Sequence, residues 1–164
     1  MLKTPKNNIN PVKNFSLGLA SRGISNGVNR IFDANINRAK EGLRVCEEIA
    51  RFSLNNKPLT QDLKNFRHRI NLILKNTPSS FRFLKYRRSL SDIGSNIFAN
   101  ELKRKNIQDI FFANIARVKE SIRVLEEFSK LKNIKCAIQF KRLRYGIYEI
   151  EKKAAGKISA LSHT

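Results

Sequence analysis

The chain has 164 residues, enough for one domain with a real core and too few for two ordinary ones, and it carries 33 Lys and Arg against 13 Asp and Glu. A formal charge of +20 points to an anionic partner such as nucleic acid, a phosphorylated small molecule or an acidic membrane surface, although a nucleotide-biased genome also yields this much Lys, Asn, Ile and Phe. The apolar runs are too short for a membrane span, the N-terminus lacks a secretory core, and Cys46 and Cys136 have no metal-ligand spacing; these features argue against a membrane protein and a zinc site and place the chain in the reducing cytoplasm.

Residues 1–31 contain no acid and are rich in Asn, Ser and Lys, with Pro5 and Pro11 set against a regular helix, so a disordered basic leader is expected over 1–28. A single helical domain then spans 29–156. Its first hairpin runs from about Asn29 to Leu54, breaks at Asn55-Asn56-Lys57-Pro58, restarts at the cap-like Thr60 and continues to about Lys75. The insertion 76–105 follows, basic and partly aromatic, with a turn-like Asp92-Ile93-Gly94-Ser95; it is too long for an ordinary bundle loop. The second hairpin begins after the cap-like Asn106, breaks near Lys132-Asn133 and frays near Gly156, leaving a disordered tail over 157–164.

The two hairpins repeat each other. FDANINRAKEGLRVCEEIARF, from Phe32, matches FFANIARVKESIRVLEEFSKL, from Phe111, at 11 of 21 positions without a gap. Leu63 to Lys75 then aligns with Phe140 to Lys152. A lone hairpin cannot bury its apolar stripe, so the expected fold is all-α: a four-helix bundle built from two repeated hairpins with approximate internal two-fold symmetry.

At about 100° per residue, Asn35, Ala39, Gly42 and Cys46 share an inner stripe, as do Asn114, Val118, Ser121 and Leu125. Arg38 and Glu41 lie on one shoulder of it; Arg44, Glu47 and Arg51 lie on the other, where ion pairs along the helix account for them without a ligand. Arg67 and Arg144 sit beside the apolar stripes of the second helices. Buried amides and guanidinium groups without partners cost about 1–3 kcal/mol or more. Asn35, Arg38, Glu41, Arg67 and their copies Asn114, Arg117, Glu120 and Arg144 therefore either satisfy one another or bind a polar ligand. His68 has Tyr145 as its counterpart and receives no role. Neither GxGxxG nor GxxxxGK is present, so no familiar nucleotide cradle is expected.

RIFDANINRAKEGLRVCEEIARF, NFRHRI, SDIGSN, FANIARVKESIRVLEEFSKL and FKRLRYGIYEIEKK together resemble a helical domain family found alone and at the N-terminus of some bacterial thiamin phosphate synthases, over about Arg30 to Lys153. The resemblance implies a monofunctional hydroxymethylpyrimidine phosphate kinase that uses ATP and Mg2+ in thiamin biosynthesis. On that reading Arg38, Glu41, Arg117 and Glu120 are catalytic. Asn35 or Asn114 reads the aminopyrimidine edge, and Arg67, Arg144 and Arg87 bind substrate phosphates. Glu41 or Asp92, with Glu120 as a further candidate, orients magnesium. The implied partners are the pyrimidine phosphate, ATP, a separate thiamin phosphate synthase and further copies of the chain. Where the family carries Arg-Asp ahead of the Asp-hydrophobic-Gly turn, this chain has Arg87-Arg88, which removes an expected acid, and 164 residues leave no room for the barrel that couples pyrimidine to thiazole. Two rival readings remain: a non-catalytic partner of the synthase, and a basic module that binds nucleic acid through Lys85, Arg87, Arg88, Lys103, Arg104 and Lys105, with Phe81, Phe83 and Tyr86 stacking on bases.

Overall fold

A computed structural model describes the backbone of residues 11–75, 83–94 and 103–159, with side chains from residue 23 onward. Four helices dominate: α1 Pro11–Glu48, α2 Lys57–Lys75, α3 Ile107–Ser129 and α4 Ile134–Ser159. No strand occurs among the described residues, and no helix there is long and apolar enough to cross a membrane. The fold is all-α.

The helix ends follow from short polar side chains. Asn106, in extended backbone, accepts from the Asp109 N–H at 2.8 Å, and the Asp109 carboxylate in turn accepts from the Lys105 N–H at 3.0 Å. The two bonds satisfy two N–H groups at the helix entry and fix where α3 starts. Asn133 does the same for α4, accepting from the N–H groups of Lys135 and Cys136. At α2 the cap is Asn56, whose Oδ1 accepts from the Leu59 N–H at 3.1 Å; Thr60, the cap expected from sequence, instead donates its hydroxyl to the Asn56 carbonyl. Asn56 wins because Pro58 is tolerated in a first helical turn, which lets α2 begin three residues before Thr60.

α1 leaves the regular pattern through a wider π-type turn, Ile49–Ser53, and ends where Asn55 takes a left-handed conformation with φ 46°. Asparagine tolerates that region better than most residues. At its other end α1 starts at Pro11, far ahead of the expected start near Asn29. Pro11, expected to work against a regular helix, already stands in helical backbone as the first described residue. α4 likewise continues past Gly156 to Ser159. Residues 1–10 and 160–164, and the parts of the insertion at 76–82 and 95–102, lie outside the described residues, and with them Phe81.

α1 packs on α3 and α2, and α4 packs on α3 and α2, so the four helices close into a bundle. Phe32, Leu43, Leu63, Ile70, Phe111, Ile122, Phe140 and Ile147 are fully buried at its centre. Burial of each such side chain stabilises the fold by about 1.5–3 kcal/mol. α1 and α3 approach closely at Gly42, where a Cβ would stand 2.8 Å from Val118 Cγ2 and 2.9 Å from the Asn114 carbonyl oxygen. Only a hydrogen fits there.

Within each hairpin a buried carboxylate ties the two helices together. Glu47 on α1 takes Arg67 Nε of α2 at 3.1 Å and Arg44 of its own helix at 3.4 Å. Glu126 on α3 takes Arg144 Nε of α4 at 2.8 Å and Arg123 at 2.9 Å. Each carboxylate side chain is only 5 % exposed. This corrects the expectation that Glu47 lies on a solvent shoulder: the arginine of the second helix reaches over it and excludes water.

Candidate active-site cleft

The close approach at Gly42 sets the floor of a cleft of about 520 Å³ between α1 and α3. Its walls bring both copies of the repeated set together: Asn35, Arg38 and Glu41 from α1, and Asn114, Arg117 and Glu120 from α3. Helical periodicity places residues three or four apart on one face, so each triplet lines its own wall. Gly42 and its counterpart Ser121 are small enough to leave room between them.

Asn35 is buried and Asn114 half-buried. Each amide Nδ2 donates to the carbonyl four residues back, Ile31 or Ile110, at 2.8 Å. That bond fixes the amide plane and leaves Oδ1 and one N–H to face a ligand. Arg38, Glu41, Arg117 and Glu120 are exposed to the cleft, and among the described residues none of the four makes an ion pair, whereas Arg44, Arg67, Arg123 and Arg144 all do. The cleft therefore keeps two cations and two carboxylates available.

A second cavity of about 530 Å³ adjoins it, between α1 and the segment 83–94, and shares Asn35 and Arg38 as a common wall. The segment is held down at two points. Phe83 is buried and stacks on Phe32, ring centroids 5.1 Å apart and nearly parallel. Arg87 grips Asp33 with two bonds, Nε to Oδ2 at 2.6 Å and Nη2 to Oδ1 at 2.8 Å. The Asp33 carboxylate raises the Arg87 guanidinium pKa further above its ordinary value. Asp92 lies on the rim, its Oδ1 accepting from the Gly94 N–H at 3.0 Å in a tight turn.

Several sequence expectations are redistributed by this geometry. Arg67 and Arg144 line neither cavity; they are spent on Glu47 and Glu126, and the Glu126 hydrogen bond, helped by Tyr148, pushes the Arg144 pKa up. Of the carboxylates expected as magnesium candidates, Glu41 and Asp92 belong to different cavities, while Glu41 and Glu120 share one. Among the described residues no three His, Cys, Asp or Glu side chains cluster as a metal centre. Phe83 is not free to stack on a base, because the core has already taken it. Asp33 was missed altogether. Its copy in the second repeat is Phe112, and its partner is 54 residues away, so neither duplication nor local spacing signals it.

The fold and site define a helical-bundle protein with a charge-balanced polar cleft between two copies of one helix, extended on one side by an arginine-rich cavity. Residues 30–153 match the model of the ThiD2 family, and the chain belongs to that family. Among curated proteins it is similar to a thiamine-phosphate synthase of Synechocystis, 37% identical over 129 residues that cover 77% of this chain and 36% of that protein. The corresponding protein of Nostoc punctiforme is 39% identical over 130 residues, covering 79% of this chain and 36% of its own length. That of Rhodopirellula baltica is 36% identical over 137 residues, covering 80% and 36%. The chain thus spans about a third of the length of these relatives. No solved structure matches it.

Proposed function

We propose that this chain acts in thiamin biosynthesis as a kinase that transfers a phosphoryl group from ATP to hydroxymethylpyrimidine phosphate. The observation that carries the reading is the α1–α3 cleft, where two asparagines with fixed amides stand beside two arginines and two glutamates that make no ion pair among the described residues. The names of the relatives supply the pathway.

The acceptor is a phosphate monoester with a second pKa near ~6, so its oxygen is already largely ionised at neutral pH and needs no strong base. That oxygen attacks the γ-phosphorus of ATP, the bond to the bridging oxygen breaks, and ADP leaves with the electron pair. The obstacle is bringing two anions together, and phosphoryl transfer is mostly positioning and charge stabilisation. Arg117 and Arg38 hold phosphate oxygens, while Asn35 or Asn114 offers an amide oxygen to the exocyclic amine of the pyrimidine and an N–H to a ring nitrogen. Magnesium takes one or two carboxylates with phosphate oxygens, and Glu41 and Glu120 fit that role, since both line one cleft and make no ion pair among the described residues. Bound there, the ion supplies charge neutralisation between donor and acceptor. The duplicated hairpins are read as two halves related by an approximate two-fold axis, in a cytoplasmic, self-associating enzyme.

The test is turnover by purified protein with ATP, Mg2+ and hydroxymethylpyrimidine phosphate, followed by 31P NMR. A pyrimidine diphosphate and ADP should appear in equal amounts, and the free alcohol should not react, since an arginine-lined acceptor site needs the existing anion. Folded protein that produces neither product refutes the kinase. The second reading, a non-catalytic partner of a thiamine-phosphate synthase, draws on the longer relatives in which the matching stretch is only about a third of the chain. It predicts co-sedimentation with such a synthase and no turnover.

A further inference from the structure

The two cavities are nearly equal in volume, about 530 and 520 Å³, so size does not say which ligand enters which. Charge does. Among the described residues, the outer cavity, against the segment 83–94, carries Arg30, Arg38, Arg87 and Arg88 against Asp33 and Asp92; Arg87 and Asp33 cancel each other through their paired bonds, leaving Arg30, Arg88 and the shared Arg38 to one rim carboxylate. In the α1–α3 cleft, Arg38 and Arg117 are balanced by Glu41 and Glu120. Resting on the kinase reading above, we infer that the outer cavity holds the nucleoside triphosphate and the α1–α3 cleft the pyrimidine monoester, with Arg38 on their shared wall facing the transferred phosphoryl group.

A triphosphate is the more highly charged ligand, and Coulomb attraction favours the cavity whose own described side chains leave positive charge uncompensated over one whose side chains are formally neutral. A flat, amino-bearing heterocycle with one phosphate instead suits the cleft, where fixed amides read ring edges and a single unpaired arginine remains beyond the shared one. In-line transfer also requires the two ligands to meet, and Asn35 and Arg38 are the residues common to both linings. The segment 83–94 has no copy in the second repeat, so only one of the two similar half-sites gains the extra cations. Arg88, on that segment, adds to the excess.

The experiment compares Arg88→Ala with Arg117→Ala, two exposed arginines with no ion pair among the described residues, so neither substitution orphans a buried carboxylate there. Arg88→Ala should raise KM for ATP about ten-fold with little change for the pyrimidine phosphate, and Arg117→Ala should do the reverse. Equilibrium dialysis of ATP with Mg2+, without acceptor, gives a readout independent of turnover: Arg88→Ala weakens binding and Arg117→Ala leaves it near wild type. A protein that binds ATP in this way but never turns over defeats the kinase reading and leaves the assignment of the outer cavity standing. Exchanged effects, equal effects on both substrates, or a wild type that binds no ATP overturns the assignment.

Discussion

Arg144→Ala should cost the bundle stability and leave the chemistry untouched. Arg144 Nε bonds Glu126 Oε2 at 2.8 Å, and the two side chains are 12 % and 5 % exposed. Truncation leaves Glu126 buried with only the half-exposed Arg123 beside it. Breaking a buried pair from one side costs about 3–5 kcal/mol, and the surviving Arg123 bond puts this case at the low end, about 3 kcal/mol. At about 2–4 °C per kcal/mol for a chain of this size, the melting temperature should fall by about 6–12 °C. Calorimetry measures the drop, and Arg144→Ala combined with Glu126→Gln should recover part of it, since no charge is then left buried without its partner. Turnover well below the melting point should match wild type, because Arg144 lines neither cavity. If Arg144→Ala melts within about a degree of wild type while turnover collapses, the arginine serves a ligand rather than the bundle, and the geometric argument fails.

Gly42→Ala should destabilise the fold by about 1–2 kcal/mol despite the gain in helix propensity, because one of the atoms a Cβ would strike is the Asn114 carbonyl oxygen, which cannot rotate away. Gly156→Ala, where nothing lies within 4 Å, should stabilise by up to about 1 kcal/mol, and chemical denaturation of the two variants checks the contrast. Asp33→Asn removes the charge that grips Arg87, so trypsin should cut after Arg87 and Arg88 faster than in wild type; unchanged cleavage would mean that the Phe83–Phe32 stack alone anchors the segment. Burial pushes the Cys46 thiol from 9.0 up to about 12, with Glu151 adding to the shift, so Ellman's reagent should leave it unreacted in folded protein at pH 8 and label two thiols after denaturation. By linkage, the neutral thiol is favoured in the folded state, and its contribution to stability is lost as pH rises from 9.0 towards 12; a Cys46→Ala variant should lack that part of the alkaline decline.

The sequence alone determined the elements and the inner face. Duplication marked Asn35, Arg38 and Glu41 and their copies, and the 3.6-residue period put each triplet on one side of its helix, which is the side that lines the cleft. Asn106 was legible as a cap because capping is settled within four residues of chain. Tertiary structure decided what lies across from each face. A helical wheel gives the direction of Glu47 and Glu126 but not the reach of the arginine on the next helix, and that reach turned supposed surface charges into buried anchors and withdrew Arg67 and Arg144 from the ligand groups. Nor does periodicity carry any trace of the pairing of Asp33 with Arg87, which depends on where a once-written segment comes to rest on α1. Local rules fix which way a side chain points, whereas its partners are fixed by the packing of elements far apart in sequence, and it is those partners that separate an arginine bound to its own protein from one left free to bind a phosphate.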